Sequence, residues 1–350
     1  MAVERVSFGN MPDGREVYKY VITNDNEYSA SVITLGATLQ ALYCEDAAGE
    51  LRDVVLGFDS VEDYLEKSSN QGCTVGPYAN RIGGASMDVN GKHYELAVNE
   101  NGSTCLHSNG DFGFSLWSAI VVDSDAVEFS YTSPDGTNGF PGETTAKVTY
   151  RLDAKNALHI TYDAVSTRDT NINLTNHSYF NLDGYDFRDI LGHSLMIDSD
   201  FFTEVDKLSI PTGQQLPVEN TPFDFRSMKK IGLEIGADHV QLGLTGGYDH
   251  NFCIRGFDGK LRKIACAEAE ASGIAMNVYT DLPGVQFYAG NYLKGDEGKN
   301  GHPMNKRSGF CLETQYYPDT PHQPSFPSCL FKAGDRFVSE TVYEFFVNKV

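Results

Sequence analysis

Short alternating runs dominate the hydrophobic pattern of this chain. The stretches 29–35 (SASVITL), 126–133 (AVEFSYTS), 146–152 (AKVTYRL), 157–166 (ALHITYDAVS), 284–293 (GVQFYAGNYL) and 341–347 (TVYEFFV) are rich in Val, Tyr, Phe and Thr. Period-two patterning of β-branched and aromatic residues predicts strands with one buried face. Turn-forming clusters separate them, among them 133–143 (SPDGTNGFPGE), 101–113 (NGSTCLHSNGDFG) and 294–303 (KGDEGKNGHP). Helical periodicity is thin: SVEDYLEKS and FRSMKKIGLEIG read as short helices or turns. No repeat or linker interrupts the pattern. The reading is all-β, a single large antiparallel β-sandwich domain over residues 1–350 with few short helices; a barrel fits the same signals.

Strand parity sorts side chains onto faces. In NINLTNHSYFNLDG (171–184), Ile172, Leu174, Phe180 and Leu182 share one face, and Asn173, Thr175, His177, Tyr179 and Asn181 the other. In GFCLETQYYPD, Phe310 and Leu312 oppose Cys311, Glu313 and Gln315. In PGVQFYAGNYL, Val285, Phe287 and Ala289 oppose Gln286 and Tyr288; in GYDHNFCI, Asp249 and Asn251 oppose Tyr248, His250, Phe252 and Ile254. Polar and ionisable groups among aromatics on one sheet face suit a polyhydroxylated ligand, since amides and carboxylates meet hydroxyls while rings cover C–H patches. Each position alone has a structural explanation: a strand histidine or glutamate is more often satisfied or solvated than catalytic. Spacing by itself describes a β protein with a polar groove.

Composition narrows the classes. With 350 residues, 41% hydrophobic and 21% charged, the chain reads as soluble and globular. The 27 Lys+Arg against 48 Asp+Glu give a formal charge of −21, which disfavours nucleic acid and anionic membrane as partners. MAVERVSFGN carries no apolar signal segment, and no apolar run is long enough to span a bilayer. Seven scattered cysteines without a C-x-x-C pair predict reduced thiols and a cytoplasmic location. Nucleotide loops, zinc signatures and a G-x-S-x-G elbow are missing, so no cofactor or metal is indicated. Carboxylates and histidines remain, groups suited to proton transfer.

Eight segments in order carry a resemblance: VGPYANRI (75–82), LHSNG (106–110), SPDGTNGFPG (133–142), NLTNHSYFNLDG (173–184), IPTGQQLPVENTPFDFR (210–226), GGYDHNF (246–252), PGVQFYAGNYL (283–293) and GFCLETQYYPDTPHQPSFPS (309–328). Over nearly its full length the chain resembles the aldose 1-epimerase (galactose mutarotase) family. The resemblance implies a large antiparallel β-sandwich that interconverts α and β anomers of free aldohexoses such as galactose and glucose, without a cofactor. It implies His177 as general acid toward ring O5 and Glu313 as general base toward O1–H. Asn80, Arg81, His107, Asp249 and Gln286 would hold sugar hydroxyls, with Tyr179 at the pocket wall.

Three positions depart from the family pattern. Pro77 stands where arginine is common, Ser108-Asn109 replace a common glycine pair, and Tyr316 replaces a frequent histidine. None is the expected acid or base, but all bear on the pocket rim and so on substrate range. A hexose-phosphate mutarotase and a non-catalytic carbohydrate-binding protein are the competing readings, and the oligomeric state, monomer or homodimer, is left open. Two electrostatic expectations complete the picture: burial among rings raises the Glu313 pKa, and its charge, if near, favours a protonated His177.

Overall fold

The computed structural model describes residues 1–348 and contains three large antiparallel sheets. The first is a meander of five consecutive strands, from Ala2–Asn10 to Leu51–Asp53. The second has nine strands in the order Ser118–Asp123, Ala126–Ser133, Thr144–Leu152, Ala157–Ser166, Arg336–Val347, Ile274–Thr280, Arg262–Glu268, Ser194–Ile197 and Lys229–Lys230. The third has five, ordered Pro211–Pro217, Ser199–Val205, Asp249–Ile254, Gly284–Tyr288 and Cys311–Gln315.

Alternation explains the layering. Along Thr144–Leu152 every second side chain is buried, and Val148, Tyr150 and Leu152 enter the main core. That core joins Ile22, Val32 and Leu39 of the first sheet, Phe129, Ile160 and Tyr343 of the second, and Phe252, Phe287 and Leu312 of the third. The nine-stranded sheet thus forms one layer and the two five-stranded sheets line the other, a sandwich rather than a barrel. Tyr343 Oη, from the large sheet, donates to the Leu312 carbonyl at 3.0 Å across the layers.

The stretch 171–184 is not the continuous strand its alternation suggests. Only Thr170–Asn171 and Thr175–Asn176 are strand, with single bridges at Asn173 and Phe180. Its partner changes along its length: Leu330–Phe331, then Tyr78, then Thr74–Val75, and finally Val55 and Phe310 together. No one neighbour persists long enough to make a ladder. Parity survives nonetheless, because Ile172, Leu174, Phe180 and Leu182 all reach the main core. Bridged to Val55 on one side and Phe310 on the other, the segment fills the seam between the two five-stranded sheets.

Helices are few. Within SVEDYLEKS, Val61–Glu66 is helical, capped by Ser60 Oγ accepting from Asp63 N at 3.1 Å. FRSMKKIGLEIG contains only a short strand and the 3₁₀ turn Ile231–Leu233. The helix Val240–Thr245, closed by Gly246 at φ 66°, has no counterpart in the sequence reading. Among the described residues no helix is long and apolar enough to cross a membrane. All seven cysteines are free and buried.

Candidate active site

Two rows of side chains cross the third sheet on the face turned away from the core. Strand register places Asp249 opposite Tyr288 and Tyr288 opposite Cys311; two residues along, Asn251 faces Gln286 and Gln286 faces Glu313. The parity assignments for all three strands hold. Val285, Phe287 and Leu312 pack inward, as does His250, whose Nε2 meets Gln241 Oε1 at 3.2 Å between Phe202 and Phe223.

His177 reaches the same face from the seam. Its Nε2 lies 3.6 Å from Glu313 Oε1, and both side chains are almost fully buried. Its Nδ1 faces Cys311 Sγ at 3.6 Å. Tyr179 and His107 flank the imidazole, with ring centroids 5.0 and 5.2 Å away. Tyr179 is itself fixed, its Oη donating to the Ser69 carbonyl at 2.9 Å.

The opposite wall comes from a two-stranded pairing in which Leu106 faces Arg81 and Cys105 faces Ile82. His107 follows directly, and its Nδ1 accepts from Asn80 N at 3.1 Å, leaving Nε2 free. His107, Ser108 and Asn109 all have left-handed backbone, with φ of 52°, 50° and 54°. A glycine pair is therefore the cheapest solution after the histidine. Here Ser108 offsets the strain by exchanging hydrogen bonds of 2.9 Å with both the N–H and the carbonyl of Tyr78. Tyr316 is tied to Asn173 Oδ1 through its backbone N–H at 2.8 Å and, partly buried, packs against the main core.

Together these groups line an open hollow of about 140 Å³, bounded by Asn80, Arg81, His107, His177, Tyr179, Asp249 and Glu313. Of the sequence candidates, Gln286 stands one step back: its Nε2 donates to Asp249 Oδ1 at 2.7 Å. Sequence reasoning missed Glu100, Tyr288 and Tyr292, which also line the hollow. Tyr288 carried a signal, since parity had put it on the polar face. Glu100 carried none, since it stands just before a turn cluster and its pairing with Arg81 exists only in the folded chain.

Burial dominates the electrostatics. It pushes the His177 pKa down to about 4, with its own carbonyl working the other way and Arg81 adding to the fall. It pushes Glu313 well above the usual carboxylate range, helped by Asp249 and opposed by Arg81. Burial thus favours the uncharged form of each group, imidazole on one side and carboxyl on the other. This corrects the expectation of a charged His177: the two groups are close, but at these depths the cost of removing charge from water outweighs their attraction. Glu313 Oε2 has no hydrogen-bond partner at all. Burial also raises Asp249, while Arg81 and Gln286 pull it back.

The arrangement can pass protons between two atoms of a ligand about one sugar ring across. Among the described residues, His107, His177 and Glu313 also bring ligand-capable atoms within 4.8 Å of one another and could hold a metal ion.

Comparison with known proteins agrees with the geometry. The aldose 1-epimerase family model matches residues 18–344. The chain belongs to this family, and it is an isomerase of the sugar-mutarotase class. Galactose mutarotase of Bos taurus is 42% identical over 350 residues, covering 99% of each chain, and that of Homo sapiens 40% over 349 residues, again 99% of each. Aldose 1-epimerase of Escherichia coli K12 is 34% identical over 95% of this chain and 96% of its own. Among solved structures, the GalM/aldose epimerase homologue from C. elegans superimposes with a TM-score of 0.87 at 31% identity, covering 94% of this chain and 98% of its own. Galactose 1-epimerase from Lactobacillus acidophilus NCFM gives a TM-score of 0.87 at 25% identity over the whole of both chains.

Proposed function

We propose that the protein is a cofactor-independent aldose 1-epimerase acting on free aldohexoses such as galactose and glucose, as one cytoplasmic domain spanning residues 1–350. The observation that carries this reading is the opposition of His177 Nε2 and Glu313 Oε1 at 3.6 Å over a sugar-sized hollow. Free, buried thiols fit a reducing compartment.

Ring opening needs O1 to lose a proton while O5 gains one. Glu313 takes the first and His177 supplies the second, each group worth roughly 10²–10⁴-fold. The pair enters this step as imidazolium and carboxylate and leaves it as imidazole and carboxylic acid, one proton poorer on nitrogen and one richer on oxygen. Burial, which lowers His177 and raises Glu313, favours the second state. It is the state competent for closure: once the aldehyde rotates about C1–C2, Glu313 returns a proton to O1 and His177 removes one from O5. Closure thereby regenerates imidazolium and carboxylate, so the cycle consumes no external proton. Asn80, Arg81, His107 and Asp249 grip hydroxyls remote from C1, which must stay free to turn. Gln286 acts through Asp249, and Tyr179 forms the wall beside His177.

Polarimetry tests the reading. Freshly dissolved α-galactose or α-glucose reaches anomeric equilibrium far faster with protein than in buffer; an unchanged rate would leave a carbohydrate-binding protein. The hexose-phosphate alternative predicts faster exchange on glucose 6-phosphate than on glucose. It fits poorly with a lining in which Arg81 stands among Glu100, Asp249 and Glu313.

A further inference from the structure

We infer that Glu100 is a positioning and specificity-determining residue of this pocket, presetting Arg81 for uncharged sugars and turning away sugars that carry an anion. The inference rests on the proposed reading of the site as a sugar pocket.

Both Glu100 oxygens are engaged by Arg81: Nε donates to Oε2 at 2.8 Å and Nη2 to Oε1 at 3.0 Å. This fork-to-fork geometry fixes the guanidinium plane as well as its position. The Arg81 side chain is almost fully buried, whereas that of Glu100 keeps 21% exposure and borders the hollow. Glu100 is held in turn by a closed loop. Its N–H donates to the Thr104 carbonyl at 3.2 Å, and its carbonyl accepts from Thr104 N at 3.0 Å. The loop leads straight into Cys105–Leu106, the strand paired with Arg81–Ile82. One small unit thus delivers Glu100, Arg81 and His107 together.

Donor counting shows what remains for a ligand. Guanidinium carries five N–H groups. Glu100 takes two of them. Nη1 lies 3.6 Å from Asp249 Oδ2, beyond a good hydrogen bond, so its hydrogens and the second on Nη2 are free to meet hydroxyl oxygens. Burial opposes the Arg81 charge, but Asp249 and Glu100 outweigh it and keep the group ionised. The pocket therefore offers strong donors whose positive charge is already matched. A hydroxyl loses nothing by this, while a carboxylate or phosphate finds no spare cation and the partly exposed Glu100 carboxylate bordering the hollow.

Galactose and galacturonate separate the two cases, since they share a ring and differ in a carboxylate at C6. Anomer exchange and equilibrium binding would be measured for both sugars on wild type, Glu100→Gln and Glu100→Asp, with thermal melts to verify folding. Wild type should prefer galactose by about tenfold or more, less so at high salt, where exposed charges are screened. Glu100→Gln should raise KM for galactose several-fold with a smaller change in kcat, and reduce the preference for galactose about tenfold. Glu100→Asp, which keeps the charge, should retain most of the preference. Equal losses on both sugars in Glu100→Gln, or an unaltered preference, would overturn the inference. Absence of exchange on galactose in wild type would count against the mutarotase reading instead, and the binding ratios would still decide the role of Glu100.

Discussion

Lys299–Asp53 and His177–Glu313 are both buried pairs of potentially opposite charge, and they are built in contrary ways. Lys299 Nζ sits 2.6 Å from Asp53 Oδ2 and donates to the Val55 carbonyl at 2.9 Å; Asp53 Oδ1 accepts from Leu42 N and Val55 N at 3.0 and 3.3 Å. The chain itself supplies partners to both groups of that pair. His177 and Glu313 are equally buried but stand 3.6 Å apart, and one carboxylate oxygen has no partner. The first pair anchors the 3₁₀ turn Lys299–Gly301 to the edge of the first sheet. The second is left incomplete toward a hollow. The chain completes the hydrogen bonding of the first pair, whereas the second lines a hollow that a ligand can enter.

The comparison is sharpened first by Glu313→Gln, which keeps shape but cannot accept the proton. It should lower kcat by roughly 10²–10⁴-fold while sugar still binds; near-normal turnover in a rapid polarimetric assay would remove Glu313 from its role. Lys299→Met should do the reverse. Leaving Asp53 buried alone should cost about 3–5 kcal/mol in denaturant unfolding, with kcat of the folded fraction little changed. If Lys299→Met instead silenced the enzyme at unchanged stability, the division between the pairs would collapse.

Asp249→Asn should act on grip rather than chemistry, raising KM about tenfold by weakening a charge-assisted contact worth about 1.5–3 kcal/mol. A pH–rate profile gives a smaller and graded effect. The working pair carries one shared proton. As pH falls toward about 4, His177 gains a second and the rate drops; at high pH the proton on the raised Glu313 is lost and the rate drops again. A single rise through the ordinary histidine pKa would contradict this. EDTA should change least, since the proposed proton transfers use only His177 and Glu313.

Much of this was legible in the chain because strand parity is a local property. Asp249, Gln286 and Glu313 fell on polar faces by alternation, and His250 fell on the face opposite Asp249 for the same reason. The role proposed for His177 was legible only through family resemblance, since its segment draws each short pairing from a different part of the chain. Glu100 was hidden because a turn residue gains meaning only from what it folds onto. The rise of the Glu313 pKa was anticipated, but the direction at His177 was misjudged for a related reason: proximity could be read from the motifs, but not the depth of burial that outweighs attraction.

The seam segment also bears on how activity arises during folding. Phe180 bridges Val55 and Phe310, so the shelf carrying His177 exists only after distant parts of the polypeptide have met. Contacts of such long sequence separation carry a loop-closure cost and form slowly. Catalytic competence should therefore lag behind the appearance of β-structure in refolding, which makes enzyme activity a clock for the final assembly event.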